Sequence, residues 1–215
     1  MTNQSPCESL PAGNEDAIDS LNQQILSAKE ASLSMSLLSE ADKNLALELM
    51  ERELRESINQ IVEANLKDLN CPDNADLSPA LKDRLMLDSE RIMGMAAGIR
   101  QILNIEDPIG TVLEGWVHPN GMRITKLRVP LGVIGIIYEA RPNVTTDAIA
   151  LAIKSGNAVV LRGSRQAWNT NLAIMAIVTR ALKQTKVNIE GIQYLRDKSR
   201  EACKVLLRAQ GLIDL

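Results

Sequence analysis

RVPLGVIGIIYEARPNVTTDAIALAIKSGNAVVLRGSRQA, residues 128–167, is the stretch that decides the fold. It opens on a continuous apolar run of strand length, from Val129 to Tyr138. TTDAIALAIKSG follows with helical periodicity. This helix is predicted to open at Thr145 or Thr146 and to close on Gly156 at the C′ position. NAVVLRG is a second apolar run, short enough to be a buried strand. Strand, helix, strand at this spacing is a βαβ unit and implies a parallel sheet. Downstream, TNLAIMAIVTRALKQ reads as a second helix, IQYL as a third strand and SREACKVLLRAQ as a third helix. The closing GLIDL reads as the first residues of a further strand. The fold class is α/β, a partial doubly wound parallel sheet that stops at this cut strand.

Upstream, the pattern changes at Asp107. IGTVLEGWVHPNGMRITKLR, residues 109–128, places Pro119-Asn120-Gly121 between two β-prone runs, which predicts a hairpin. With a polar face, such a hairpin can serve as an arm between subunits. Residues 16–106 are helical. Ser39 precedes Asp42 by three positions, a capping-box-like start. Leu45, Leu49, Leu54, Ile58, Ile61, Val62 and Leu66 then form one apolar stripe. Cys71, Pro72, Asp73 and Asn74 mark a loop, and Ser78-Pro79 an N-cap followed by a first helical residue. Asp88-Ser89 starts another helix. There Gly94 and Gly98 share a face, which predicts close helix packing. Met86, Met93 and Met95 are expected to fill core space. Residues 1–15 read as a disordered tail. The predicted organisation is a tail (1–15), a helical segment (16–106), a hairpin arm (107–128) and a partial nucleotide-binding domain (129–215).

Composition narrows the function. The 215 residues are 45 % hydrophobic and 24 % charged, with a formal net charge of −3 and a pI of about 5.4. A duplex nucleic-acid binder would carry a basic excess. No apolar run approaches the ~18 residues of a membrane span, and the polar N-terminus has no secretory h-region. These features predict a cytoplasmic protein without nucleic-acid or membrane partners. Cys7, Cys71 and Cys203 are widely spaced and suggest no disulfide framework. His118 is the only histidine, so a multi-histidine metal site is excluded, and no metal is expected. With two Trp, two Tyr and no Phe, the core must be aliphatic. Trp116 and Trp168 read as packing or subunit anchors and His118 as a surface residue of the hairpin turn.

Two loops follow the first two strands of the parallel sheet. Glu139 to Asn143 offers a guanidinium and a side-chain amide. Arg162-Gly163-Ser164-Arg165 offers two guanidinium groups around a flexible pair. Ligands of such sheets bind beyond the carboxyl ends of the strands, so the loops together resemble an anion site. The strict GxGxxG fingerprint is absent, because Gly132 and Gly135 lie within the strand. Those two glycines serve either close backbone approach or strand packing.

The segment 128–167, with DPIGTVLEGWVHPNGMRITKLR before it, resembles γ-glutamyl phosphate reductases of the aldehyde dehydrogenase superfamily. The resemblance continues weakly through the upstream helices and runs downstream to GLIDL, so it covers roughly residues 25–215. It implies NADPH-dependent reduction of L-glutamyl 5-phosphate to the 5-semialdehyde and phosphate, a step of proline synthesis, by way of a thioester on a cysteine. In the family that cysteine lies in the domain after the nucleotide-binding domain. None of the three cysteines here matches it, so the nucleophile and the catalytic domain are expected to be absent from this chain. The glycine-rich turn after the final strand is missing too.

The resemblance assigns residues in turn. Arg162 matches the basic position at the adenosine ribose. Arg165 stands where NAD-preferring relatives often carry an acid, and so favours NADP(H). Gly163 and Ser164 complete the cofactor loop, Ser164 as a donor to a cofactor phosphate or as a turn residue only. The plain alternative for both arginines is solvation on a loop. Asn143 is the candidate oxyanion donor; otherwise it is a turn residue or an N-cap. Arg141 is a candidate for the substrate's phosphate or carboxylate; otherwise it is a structural salt bridge. Lys154, Ser155 and Gly156 read as a helix C-cap. Three functions stay open. The chain is the N-terminal half of the reductase, homo-oligomeric when complete or complemented by a C-terminal half. It is a non-catalytic nucleotide-binding or oligomer-docking remnant. Or it is a non-functional remnant. All three predict no turnover by the chain alone.

Overall fold

Residues 15–215, with side chains from residue 17, are described by a computed structural model. The helical segment resolves into α1 (Glu15–Ser36), α2 (Glu40–Glu56), α3 (Ile58–Leu69), α4 (Pro79–Leu85) and α5 (Ser89–Leu103). The starts follow the capping chemistry written in the sequence. Ser39 Oγ accepts from Asp42 N, Ser78 from Leu81 N and the Asp88 carboxylate from Arg91 N, each satisfying an orphan amide of a first turn. The expected disordered tail lies outside the described residues, except Glu15, which is helical.

The hairpin forms β1 (Val112–Val117) and β2 (Arg123–Leu127), antiparallel around the Pro-Asn-Gly turn. All of β1 is exposed, and Trp116 and Val117 are half-exposed or more. The arm therefore presents apolar side chains as well as charges. His118 is exposed in its turn.

The second sheet is β3 (Val133–Ile137), β4 (Ala158–Arg162) and β5 (Ile192–Tyr194), all parallel in the order β3-β4-β5. β4 is central and wholly buried, as its unbroken apolar run requires. α6 (Asn143–Lys154) and α7 (Trp168–Leu182) make the crossovers, and α8 (Arg200–Arg208) follows β5. α6 and α7 are covered by α2, α3 and α5, while α1 packs on the sheet and against α8. The last residues rejoin the sheet on the far side of β3: Asp214 N donates to Val133 O (2.9 Å) and Gly135 N to Leu215 O (2.8 Å). The GLIDL segment is thus strand-like, and it flanks β3 opposite β4.

Buried polar groups fix the layers. The Asp68 carboxylate, on α3, accepts from the amides of Asn169 and Thr170, from Asn169 Nδ2 and from Thr170 Oγ1 at 2.5–3.0 Å, and so caps α7. Lys154 Nζ is buried and donates to Asn44 Oδ1 and Leu103 O, both at 2.9 Å, tying α6 to α2 and α5. At the open edge of β5, the Gln24 side chain takes the place of a strand. Its Nε2 donates to Tyr194 O (3.3 Å) and its Oε1 accepts from Arg196 N (3.4 Å).

Several readings need correction. α6 starts at Asn143, behind Pro142, and not at Thr145 or Thr146. Gly94 and Gly98 do not serve close helix packing: nothing lies within 4 Å of a Cβ built on Gly94, and only Asp147 Oδ1 (3.7 Å) near one on Gly98. Of the three methionines only Met95 is buried; Met86 and Met93 are more than a third exposed. Cys71 is disulfide-bonded, whereas the sequence suggested no cystine. Gly156 sits at φ +67° as expected of C′. Gly132, at φ +124°, lies so close to the Asp214 carboxylate that any Cβ would collide with it.

Candidate functional site

β3 and β4 leave the sheet side by side. Ile137 pairs with Arg162, and Tyr138 N donates to Arg162 O at 3.1 Å. The loops 139–142 and 163–167 therefore emerge together at the carboxyl edge. Because residues 213–215 lie on one side of β3 and β4 on the other, the strand order reverses at β3. Open α/β sheets place ligands at such a reversal.

A polar lattice supports the loops. Tyr138 Oη and Thr145 Oγ1 are 2.6 Å apart, Thr145 Oγ1 donates to Asn171 Oδ1 (2.8 Å), and Asn171 Nδ2 donates to Tyr194 Oη (3.2 Å). The threonine has one proton and gives it to Asn171, so the Tyr138 hydroxyl is the donor to Thr145. Burial pushes both phenols up, Tyr194 to about 12. Both stay protonated, Tyr138 as the donor to Thr145 and Tyr194 as the acceptor from Asn171. Gly163 is wedged into this lattice: a Cβ there would lie 2.6 Å from Asn171 Nδ2, 2.9 Å from Tyr194 Oη and 3.1 Å from Tyr138 Cζ.

Arg162 is neither a solvated nor a free arginine. Only 9 % exposed, it donates to Gly163 O (2.5 Å), Lys198 O (3.1 Å) and Ser199 O (2.8 Å). It binds the end of β4 to the loop that starts α8. Its Nε is buried without a partner, and so is Ser164 Oγ. Arg165 is exposed. Trp168, the first residue of α7, packs against Tyr194 with ring centroids 5.9 Å apart, and Lys198 Nζ stands 5.3 Å over its ring. Lys198, Tyr138, Tyr194 and Asn171 were not singled out by the sequence reading. Tyr138 and Tyr194, the only tyrosines, each standing at the end of an apolar run, were the available signal.

Asn143 stands apart from this group. It is the first residue of α6 and not the N-cap. One hydrogen of its amide goes to Asp147 Oδ2 at 3.3 Å. Both residues line a cleft of about 340 Å³ with Arg84, Gly94 and Gly98, and none of Arg162 to Arg165 lines it. Arg141 is exposed, and no ion pair forms on it among the described residues, so it is not a structural salt bridge. A larger cavity of about 950 Å³ runs beside β5 and α7, and none of the predicted site residues lines it. Cys203 is a half-buried free thiol on α8. Among the described residues, no helix is long and apolar enough to cross a membrane, and no His, Cys, Asp and Glu cluster could hold a metal.

No family model matches the chain. It is 46 % identical over 188 residues to the gamma-glutamyl phosphate reductase of Desulforamulus reducens, covering 87 % of this chain and 45 % of that protein. The gamma-glutamyl phosphate reductase structure from Thermotoga maritima superposes with a TM-score of 0.87 at 34 % identity, covering 90 % of this chain and 47 % of the other. An acetylating aldehyde dehydrogenase from Geobacillus thermoglucosidasius gives a TM-score of 0.71 over 92 % of this chain and 41 % of its own. At 14 % identity that likeness concerns the fold alone, which is aldehyde dehydrogenase-like. The chain spans under half the length of these relatives and is similar to the N-terminal half of the reductases.

Proposed function

We propose, with that likeness to the N-terminal half of gamma-glutamyl phosphate reductases as the premise, that the chain builds the nucleotide side of an NADPH-dependent reductase. The enzyme would convert L-glutamyl 5-phosphate to L-glutamate 5-semialdehyde and phosphate in a cytoplasmic biosynthetic route. The carrying observation is the 46 % identity over 188 residues. The donor set supports it. Arg162 Nε and Ser164 Oγ are buried and unpartnered, and an unmet buried polar group costs about 1–3 kcal/mol. Ribose hydroxyls or phosphate oxygens would meet both, so the residues fit a nucleotide.

NADP(H), when bound, supplies the hydride. The chain's own residues bind and orient. Gly163 lets the loop lie against the two phenols without displacing them. Ser164 donates its hydroxyl to a ribose or phosphate oxygen. Arg165, an exposed guanidinium, takes the 2′-phosphate, as a fork of donors suits phosphate. Arg162 fixes the loop through three carbonyls and leaves Nε for the ribose. Asn143 has one amide hydrogen free of Asp147, which suits an oxyanion formed during acyl reduction. Arg141 is free to take the substrate's phosphate. The reacting thiol is assigned to none of the three cysteines. The exposed apolar side chains of the hairpin suit a subunit contact and hence a homo-oligomer.

The test is titration of the 215-residue chain with NADPH and NADH, followed by calorimetry and by NMR shifts at Ser164 and Arg165. NADPH should bind at least about tenfold, or 1.4 kcal/mol, more tightly than NADH. Arg165→Glu should remove that preference, and Ser164→Ala should weaken both. No response to NADPH, or a preference untouched by Arg165→Glu, overturns the reading.

A further inference from the structure

The cleft between α4, α5 and the start of α6 has a composition that packing does not explain. Its volume, about 340 Å³, is at the small end of ligand pockets, which run from about 300 to 1,000 Å³. Gly94 and Gly98 bring no side chain to its α5 wall, which Arg91 and Met95 share. Each mid-helix glycine costs about 1 kcal/mol against alanine, and no close helix contact offsets it here. On the facing wall, Asp147 is partly buried and makes no ion pair among the described residues; its hydrogen bond comes from the neutral Asn143 amide. Burial pushes its carboxyl up from the ordinary value, as expected of an anion lacking a countercharge. Arg84 at the rim is exposed, and its side chain makes no ion pair or hydrogen bond among the described residues. The other arginine of the lining, Arg91, is tied to the Asp83 carboxylate and to the Asp83 and Met86 carbonyls. One unpaired anion and one unpaired cation, among the described residues, thus share a small pocket that two glycines keep open on one side.

We infer that this cleft binds the amino-acid head of the substrate, with Asp147 taking the α-ammonium and Arg84 the α-carboxylate. The inference deepens the glutamyl phosphate reading and rests on it for the ligand. The geometry itself selects any small zwitterion with adjacent ammonium and carboxylate groups. Asn143 acts on Asp147 as a positioning residue, holding one carboxylate oxygen and leaving the other, beside Gly98, for the ligand. An acyl group without the amino-acid head would leave both charges unmet, so the cleft discriminates against simple carboxylic acids.

The probes are L-glutamate, glutarate, which lacks the ammonium, and 4-aminobutyrate, which lacks the α-carboxylate. Each is titrated into the isotope-labelled 215-residue chain, with the Gly94, Gly98 and Asp147 amide resonances followed. L-Glutamate should shift them and bind at least about tenfold more tightly than either analogue. Asp147→Asn should abolish the preference over glutarate, and Arg84→Gln the preference over 4-aminobutyrate. Both variants should keep the wild-type NADPH response at Ser164. Equal shifts from glutarate, silence of the cleft resonances towards L-glutamate, or variants that keep full discrimination overturn the inference. A chain that answers NADPH but not L-glutamate loses the cleft and keeps the nucleotide reading. A chain that answers L-glutamate through Asp147 but not NADPH does the reverse.

Discussion

Replacing Gly163 by alanine tests the lattice beneath the two loops. The new methyl would stand 2.6 Å from Asn171 Nδ2, 2.9 Å from Tyr194 Oη and 3.1 Å from Tyr138 Cζ. None of the three can swing away cheaply. Asn171 is fully buried between Thr145 and Tyr194, and Tyr194 is 4 % exposed against Trp168. Overpacking of this kind costs about 1–3 kcal/mol. Stretching the bonds of Asn171 adds part of the about 1–3 kcal/mol cost of an unmet buried group. A total of about 2–4 kcal/mol should lower the melting temperature by about 5–15 °C in a chain of this size. Calorimetry and urea midpoints read the loss. Asn171→Ala alone should also destabilise, yet the double variant should lose less than the sum, because the closest atom has gone. A Gly163→Ala melting point within about 1 °C of wild type, or strict additivity in the double variant, would refute the reasoning.

Asp147→Asn should raise the urea midpoint at neutral pH. The carboxyl is raised by burial, so the native state holds the proton more firmly than the unfolded state, and stability falls as pH climbs from the unfolded value of about 3.9 through the folded one. The gain should vanish below that window, and a less stable Asn variant at neutral pH would count against it. Asp214 has the opposite sign. The hydrogen bond from Lys29, then that from the Val133 amide, lower its carboxyl, so its contribution is present above about pH 3.9 and lost as pH falls through the folded value. Asp214→Asn should flatten the acid limb of a urea-midpoint profile, and an unchanged limb would show that the pair does nothing. Asp68→Ala should cost about 2–4 kcal/mol through the loss of the α7 cap and of four buried bonds; a midpoint shift below about 1 kcal/mol would deny it that role.

Much of the fold was legible because its signals are local. Ser39, Ser78 and Asp88 announce their helices, Gly156 ends one, and the unbroken run of β4 marks a strand buried on both faces. The start of α6 was misplaced because Thr145 and Thr146 look like caps while their hydroxyls turn inward, to Asn171 and to the Asn143 carbonyl. Gly94 and Gly98 looked like a packing seam because spacing cannot say whether the facing surface is close or open. The site was legible as two loops but not as two places. That Arg162 folds onto the carbonyls of residues 198 and 199 depends on a contact 36 residues away, and nothing around Arg162 encodes it. The Asn143–Asp147 bond is by contrast an i,i+4 contact within α6, but that the cleft it lines excludes Arg162 to Arg165 is not written in the local sequence.

The Gln24 amide on β5 has a consequence for assembly. A strand edge is bivalent in its pairing chemistry, and a sheet with two open edges can be recruited from both sides into an endless stack. Here one edge is already answered by a side chain that offers a carbonyl and an amide in the places a neighbouring strand would use. Among the described residues, the edge left for backbone pairing is that of residues 213–215, which already flank β3. Any association that borrows its backbone must therefore stop at a pair, since a heterologous contact propagates only when both faces of the repeat are free.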